Sequence, residues 1–351
     1  MNSGAKSSIC IFVNSYPPAI GGIETFTKML AQGMVNLNFA VTVIVKSSID
    51  SLQSDRIQTI EKEPEILYQT TFLNKLRAAK KSDLVIFSHF SLKALPFVFL
   101  TRKKFVIIHH TSPCAQLSRI DMRERLKRFI YSRSVNIFVS ENLKQLTKLD
   151  GFVIHNGTDF PVHKDIQSEG RHKDFIYIGR LVHDKGIGTA IRAFSRLLIE
   201  RPELTFHIAG SGEIGDELIH LVDYLGIVDN VRFLGNLSKV EVIESLLEHK
   251  FLILPSEWQE PFGLVSIEAL TQGCIPVVAR IGGIVEACGK HCITFESGDV
   301  DDLHKVLEQC ISNYPSYHAQ IFDKINMQNF SSDRMLKDYV NLLDQLFLTK
   351  S

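Results

Sequence analysis

Short apolar runs alternate with helix-length amphipathic stretches from one end of the chain to the other. ICIFVNS, VTVIVKS, DLVIFSH, FVIIHH and VNIFVS occupy the first half, and FIYIG, LTFHIAG, VRFLG, FLILPS, IPVVAR and CITFES the second. Each has the length of a strand, is rich in β-branched and aromatic residues, and closes on a polar or glycine turn. Runs that are apolar almost without a break belong to strands covered on both faces, and the segments between them supply the crossovers that parallel pairing needs. The pattern predicts an α/β fold of two doubly wound, Rossmann-like domains. A chain of 351 residues is large for one core, in keeping with two domains of similar size. After HNGTDFP, residues 160 to 173 turn polar, with Pro161 and Gly170, and read as the linker. The expected domains are therefore 1–160 and 161–330. A final helix is predicted over Ser331 to Leu348, with Met335, Tyr339, Leu342, Leu343 and Leu346 on one stripe.

The candidate chemistry sits where strands end. In EPFGLVSIE, Glu260 to Glu268, the strand FLIL runs into a loop, Gly263 lets the chain turn, and LVSIEALTQG continues as a helix. Glu260 falls in the loop and Glu268 about one turn into the helix. Carboxylates accept from vicinal hydroxyls, and the amides of Phe262, Gly263 and Leu264, just after Pro261, attract anionic or hydroxyl-rich groups. Glu near a helix start is also favoured by the macrodipole alone. In GRLVHDKG, Gly179 to Gly186, Arg180 and Lys185 flank the loop after FIYIG, where an α/β sheet binds ligands and two cations can neutralise a diphosphate. A solvated charged loop is the plainer reading. GSGEIG, with Gly210, Ser211 and Gly212, fits the dinucleotide glycine pattern. The acid that follows, Asp229, precedes a strand instead of ending one, which argues against a dehydrogenase. Near the start, YPPAIGGIETFTKML places Gly21 and Gly22 before a helical run, suited to a phosphate or to a tight turn. His110 ends FVIIHH at a strand edge, where imidazole can donate to a sugar hydroxyl or a developing charge. His89 and His109 read as satisfied loop histidines.

Six ordered pieces together resemble the retaining GT-B glycosyltransferases of family 4. PSEWQEPFGLVSIEALTQGCIPVVA is similar to that family's E-x7-E segment, GRLVHDKGI to its Arg/Lys phosphate clamp and GGIE, Gly21 to Glu24, to its N-terminal glycine loop. HTS at His110 to Ser112, HNGTD at His155 to Asp159 and IGGIVE at Ile281 to Glu286 fall in the family's order. The resemblance implies two Rossmann-like domains facing a cleft, the first binding the acceptor and the second the nucleotide sugar, with the helix of 331–351 crossing back onto the first. It implies donor contacts from Gly21, Gly22, Arg180, Lys185, Gly210, Ser211, Gly212, Glu260, Pro261, Phe262, Gly263, Leu264 and Glu268. The catalytic set it implies is His110, Arg180, Lys185 and Glu260. The donor is a nucleoside diphosphate sugar, UDP-linked in preference to GDP-linked, and it is a substrate; no cofactor and no metal are expected. The sugar would pass with retained configuration to a hydroxyl of a glycan or lipid-linked acceptor, with a leaving-phosphate oxygen as base, in bacterial surface polysaccharide assembly. A GT-B sugar-nucleotide epimerase and a non-catalytic nucleotide-sugar-binding subunit stay open as alternatives.

Charge adds one element to this picture. The net charge is zero, yet residues 1 to 160 carry 21 basic against 12 acidic side chains and the remainder 18 against 27. The excess lies in NKLRAAKK, TRKK and SRIDMRERLKRFIYSR, the last a candidate basic amphipathic helix with Ile120, Leu126, Phe129 and Ile130 on its apolar side. It suits an anionic membrane surface, or is a solvated helix packed on its own sheet. Few aromatics interleave with the basic segments and no reader motif appears, so nucleic acid is not an expected partner. No apolar run approaches ~18 residues and no signal pattern opens the chain, so a cytoplasmic or peripherally membrane-bound protein is expected. Six cysteines without framework spacing suit a reducing compartment, and CGKHC, Cys288 to Cys292, reads as a surface loop and not as a metal site.

Overall fold

A computed structural model of the protein describes residues 7–17, 21–46, 63–68, 70–101, 103–111, 122–162, 170–323 and 325–348. Two compact units make up the chain, Met1–Asn156 with Ser332–Ser351 and Gly157–Ser331. Unit 1 runs β1 (Ser8–Val13), α1 (Gly22–Asn36), β2 (Ala40–Val45), β3 (Glu65–Tyr68), α2 (Phe72–Lys81), β4 (Leu84–Ser88), α3 (Leu95–Thr101), β5 (Phe105–His109), α4 (Met122–Tyr131), β6 (Val135–Phe138), α5 (Glu141–Thr147) and β7 (Phe152–Val153). Unit 2 runs β8 (Lys173–Ile178), α6 (Ile187–Leu197), β9 (Phe206–Ala209), α7 (Gly215–Tyr224), β10 (Val231–Gly235), α8 (Lys239–Glu248), β11 (His249–Leu254), α9 (Leu264–Thr271), β12 (Ile275–Ala279), α10 (Ile284–Cys288), β13 (Ile293–Phe295), α11 (Val300–Ser312) and α12 (Tyr314–Phe322). The last helix, α13 (Ser332–Leu343), belongs to unit 1.

Each unit is built on a parallel sheet, and β4, β5 and β12 are buried at every position. In unit 1 the strand order is β3-β2-β1-β4-β5-β6-β7, and in unit 2 it is β10-β9-β8-β11-β12-β13. Both sheets wind outward from a first strand and then restart on its other side. The resulting switch points, β1/β4 and β8/β11, open a crevice at the carboxyl ends of the strands, where doubly wound sheets take ligands.

The boundary between units falls at Asn156–Gly157 and not at 160. Residues 158 to 161 are tied to unit 2: the Thr158 amide donates to the Phe330 carbonyl (2.7 Å), Asp159 pairs with Lys239 (2.7 Å), and Gln272 Nε2 donates to the Pro161 carbonyl (2.8 Å). Within the stretch read as a linker, Arg171 is buried, donating to the Leu246 and His249 carbonyls (2.8 Å each) and to that of Gln272. In unit 1, α13 lies against α1. The Leu336 methyls fill the space beside Gly33, and the Tyr339 and Phe26 rings stand 6.0 Å apart.

Of the basic segment Ser118 to Arg133, residues 118–121 lie outside the described residues, and α4 covers Met122–Tyr131. Ile130 is buried, but Met122, Leu126 and Phe129 are exposed among Arg123 and Arg125, with the Arg133 guanidinium 3.8 Å over the Phe129 ring. No helix among the described residues is long and apolar enough to cross a membrane.

Candidate active site

In unit 2 the loops at the switch point are bound to one another. Tyr177, buried near the end of β8, donates its hydroxyl to the Arg180 carbonyl (2.8 Å) and fixes the start of the Arg180–Lys185 loop; burial, with the Glu260 charge adding to it, pushes its phenol well above the ordinary range. At the loop's far end the Glu257 amide donates to the Asp184 carbonyl (2.9 Å) and Thr189 donates to the Glu257 carboxylate (2.7 Å), so the loops after β8 and β11 form one edge. Across it Lys185 is ion-paired with Glu260, both half-buried. Ser256 donates to the same oxygen, Glu260 Oε1, at 3.1 Å. Among the described residues none donates to Oε2, which is left for a ligand hydroxyl. Arg180 is exposed, and its guanidinium makes no hydrogen bond or ion pair with a described residue.

The glycines in this edge have separate causes. Gly210 has φ +136, and a Cβ there would lie 1.8 Å from the Gly179 carbonyl oxygen; one on Gly212 would lie 2.1 Å from that of Leu181. The GSG turn is thus packed on the backbone of the Arg180 loop, with Leu181 N–H donating to the Ser211 carbonyl (2.9 Å). That packing accounts for the glycine spacing without a pyrophosphate. Gly263 caps α9 in the left-handed region (φ +81) and turns the chain from Glu260 into the helix. Phe262 is buried, while Pro261 and Leu264 are half-buried beside it. The Gly283 amide, at the start of α10, holds the Glu260 carbonyl at 2.6 Å.

Glu268, on α9, has no hydrogen-bond donor among the described residues. Its residue is partly exposed but its carboxyl is desolvated, which raises its pKa from 4.5 to about 7, with Asp159 adding repulsion and Lys239 opposing it. A desolvated acid that no protein donor satisfies, on a residue that still reaches the surface, is poised to accept ligand hydroxyls. Asp159 had been visible as part of HNGTD. Lys239 and Tyr177 were not, since each stands outside the motif segments and reaches the site only through folding, whereas Ser256 lies inside the E-x7-E segment but carried no signal of its own.

In unit 1, Gly21 has extended backbone (φ 167), which any residue adopts, and a Cβ on Gly22 would meet nothing within 4 Å. Close approach to a phosphate is therefore possible at Gly22 but not demanded by its conformation. His110 is buried, with Nε2 3.1 Å from Ser88 Oγ, Ser88 Oγ 2.9 Å from Thr27 Oγ1, and Thr27 donating to the Ile23 carbonyl (2.8 Å). All three bonds are satisfied together only if His110 Nε2–H donates to Ser88, which leaves Nδ1 as an acceptor. Burial, then His89 and His109, lowers its pKa to about 3, so the ring is neutral. The expected donation to a sugar thus has its N–H committed inward. Ser112 lies outside the described residues. His109 is a satisfied core residue, stacked on Phe138 and bonded to Asn136 (3.0 Å), whereas His89 is held at φ +74, a conformation unusual for a non-glycine residue.

Among the described residues no group of three His, Cys, Asp or Glu side chains is placed to hold a metal. One Asp-x-Asp does occur, Asp299-Val300-Asp301, and it caps a helix: Asp299 accepts from the Asp301 and Asp302 amides (2.9 Å each) at the start of α11.

The family profile described as glycosyl transferases group 1 matches residues 160–325, and that of glycosyltransferase family 4 matches residues 20–160. The chain belongs to the family 4 glycosyltransferases. A glycogen synthase of Mycobacterium tuberculosis is 39% identical over 114 residues, 32% of this chain and 27% of that protein. The gpi3 subunit of a Schizosaccharomyces pombe phosphatidylinositol N-acetylglucosaminyltransferase is 30% identical over 145 residues, 40% of this chain and 32% of that protein. The matches thus span about a third or less of those relatives' own length. The crystal structure of Anabaena Alr3699/HepE in complex with UDP and glucose superposes with a TM-score of 0.76 at 19% identity, covering 97% of this chain and 100% of that one. With two parallel α/β units and this likeness, the fold is GT-B.

Proposed function

We propose that this family 4 glycosyltransferase is a retaining, metal-independent enzyme that moves a sugar from a nucleoside diphosphate sugar to a hydroxyl of a glycan or lipid-linked acceptor. One observation supports the reading: in unit 2 the Lys185–Glu260 pair and the exposed Arg180 lie in the loops after β8 and β11, and Glu268, desolvated and without a protein donor, is on the helix that follows. In this reading Glu268 accepts from the ribose hydroxyls, and Glu260 Oε2 with the amides of Phe262, Gly263 and Leu264 fixes the donor sugar. Arg180 and Lys185 hold the diphosphate. As the glycosidic bond breaks, negative charge grows on the leaving phosphate, and two prepositioned cations stabilise it without a metal. Lys185 is neutralised by Glu260 until the donor arrives; the diphosphate then competes for it. The roles of Gly21, Gly22 and His110 belong to unit 1 and rest on the family resemblance. UDP is the favoured nucleotide, supported by the complex of Anabaena Alr3699/HepE with UDP and glucose. The acceptor class is supported by the relatives' names, one a synthase of glycogen and one a transferase to phosphatidylinositol. A peripheral membrane position is supported by the basic balance of residues 1 to 160 and the exposed apolar side chains of α4, and bacterial surface polysaccharide assembly follows from the family resemblance alone. The test is transfer from UDP- and GDP-sugars to glycan and lipid-linked acceptors in EDTA, with the product's anomeric configuration read by NMR. Retained configuration and undiminished rate in EDTA are expected; inversion or a strict divalent requirement would refute the mechanism.

A further inference from the structure

Cys288 ends α10, Cys292 precedes β13, and the loop between them brings the two thiols together. The His291 amide donates to the Cys288 carbonyl (3.1 Å), closing a tight turn, and the Cys292 thiol reaches back to the Gly289 carbonyl (3.5 Å). Cys288 is buried, Cys292 partly exposed, and both are free thiols. The Cys288 thiol is near enough to Cys292 and to the Ser266 hydroxyl for both to act on its titration, and Ser266 donates to the Gly263 carbonyl (2.6 Å). From the same short helix, Ile284 fills the space beside Gly263 and the Gly283 amide holds the Glu260 carbonyl. A thiol pair is therefore linked through α10 and α9 to both ends of the loop that carries Glu260.

We propose that Cys288 and Cys292 form an oxidative modification site, closing a reversible disulfide in response to a peroxide, and that the disulfide weakens donor binding by displacing α10 from the Glu260–Gly263 loop. The second clause rests on the donor-site reading above; the first does not. The exposed Cys292 is the attacking group, since the hydrogen bond from Cys288 holds its thiol below the ordinary range, while burial and the same bond push Cys288 up. The Cys292 thiolate attacks one peroxide oxygen and the O–O bond breaks; the leaving hydroxide takes up the proton the thiol released, so a sulfenic acid and water form. Cys288 then attacks that sulfur with loss of its proton and of hydroxide, forming the S–S bond and a second water. Two thiols are oxidised and one peroxide is reduced. An S–S bond of ~2.04 Å is far shorter than the separation of hydrogen-bonded thiols. Closing it draws Cys288 from Ser266 and pulls on the helix whose other end holds Glu260.

The whole 351-residue chain, treated with hydrogen peroxide, alkylated and digested, should yield the segment from Cys288 to Cys292 unlabelled and lighter by two hydrogens, restored by dithiothreitol. The affinity of the same sample for UDP-glucose should fall about fivefold or more and recover on reduction. Cys292→Ser should bind like the reduced wild type and lose nothing on treatment. Both thiols recovered for alkylation, or Cys292 recovered only as a sulfinic acid, would overturn the disulfide; a disulfide form with unaltered affinity would overturn the coupling. Reduced wild type that binds no nucleotide sugar would instead defeat the donor-site reading, with the mass result still deciding the modification.

Discussion

A carboxyl in desolvated surroundings with no protein donor favours its neutral form, and Glu268 is placed that way on α9. Its pKa of about 7 against an ordinary 4.5 means that between those values the folded state holds a proton the unfolded chain lacks. The stability of the unliganded protein should therefore fall as pH rises through this window, and Glu268→Gln should flatten the slope. Ribose hydroxyls donate best to the ionised form, so affinity for UDP-glucose should rise as pH passes through about 7 in the wild type and not in Glu268→Gln. Calorimetric titration across the window checks both, and a flat wild-type profile would contradict the ribose assignment. Arg180 and Lys185 face a different charge, the one that grows on the leaving phosphate. Arg180→Ala and Lys185→Ala should each lose about 2.7 to 4 kcal/mol of transition-state stabilisation in kcat while the fold is kept. Steady-state rates near wild type in both would remove them from the phosphate site.

At the scale of elements, what could be read from the sequence was what local pattern encodes. The eleven apolar runs became β1, β2, β4, β5, β6 and β8 to β13 because each is a strand covered by helices. EILY, as β3, stayed hidden at a half-buried sheet edge, and β7, at Phe152–Val153, has only two residues. The spacing of Glu260 and Glu268 and the Arg180–Lys185 loop were legible because one turn and one loop hold them. Long-range partners were not. Arg171 looks like one more linker charge, yet it reaches carbonyls that lie 75 to 101 residues away in the sequence. Hydrogen bonds from a charged group contribute about 1.5 to 3 kcal/mol. Arg171→Ala, which removes three such bonds, should destabilise unit 2 by at least about that energy, read as a lower denaturation midpoint, and leave the donor affinity of the folded protein unaltered. A midpoint equal to wild type would show that Arg171 is no anchor. His110 shows a converse gap, since its position was legible but its commitment to Ser88 depends on three elements meeting.

On the scale of the whole molecule the charge is divided, with basic excess in residues 1 to 160 and acidic excess after them. Each basic side chain near an anionic surface contributes about 1 kcal/mol, so α4 with exposed Met122, Leu126 and Phe129 suits reversible, salt-sensitive attachment. Co-sedimentation with anionic vesicles, absent with neutral ones and lost when Arg123, Arg125, Lys127 and Arg128 are changed to Glu, is the expected outcome. Equal recovery of wild type and variant in the supernatant would make α4 a solvated face. The central claim, a nucleotide-sugar site at the switch point of unit 2, is tested most directly by thermal stability in UDP-glucose. At a hundred times its dissociation constant a ligand stabilises the folded state by about 2.7 kcal/mol. A shift of that order is expected in the wild type and none at the same concentration in the Arg180→Ala, Glu268→Ala double variant; no shift with any UDP- or GDP-sugar, or equal shifts in wild type and variant, would rule the site out.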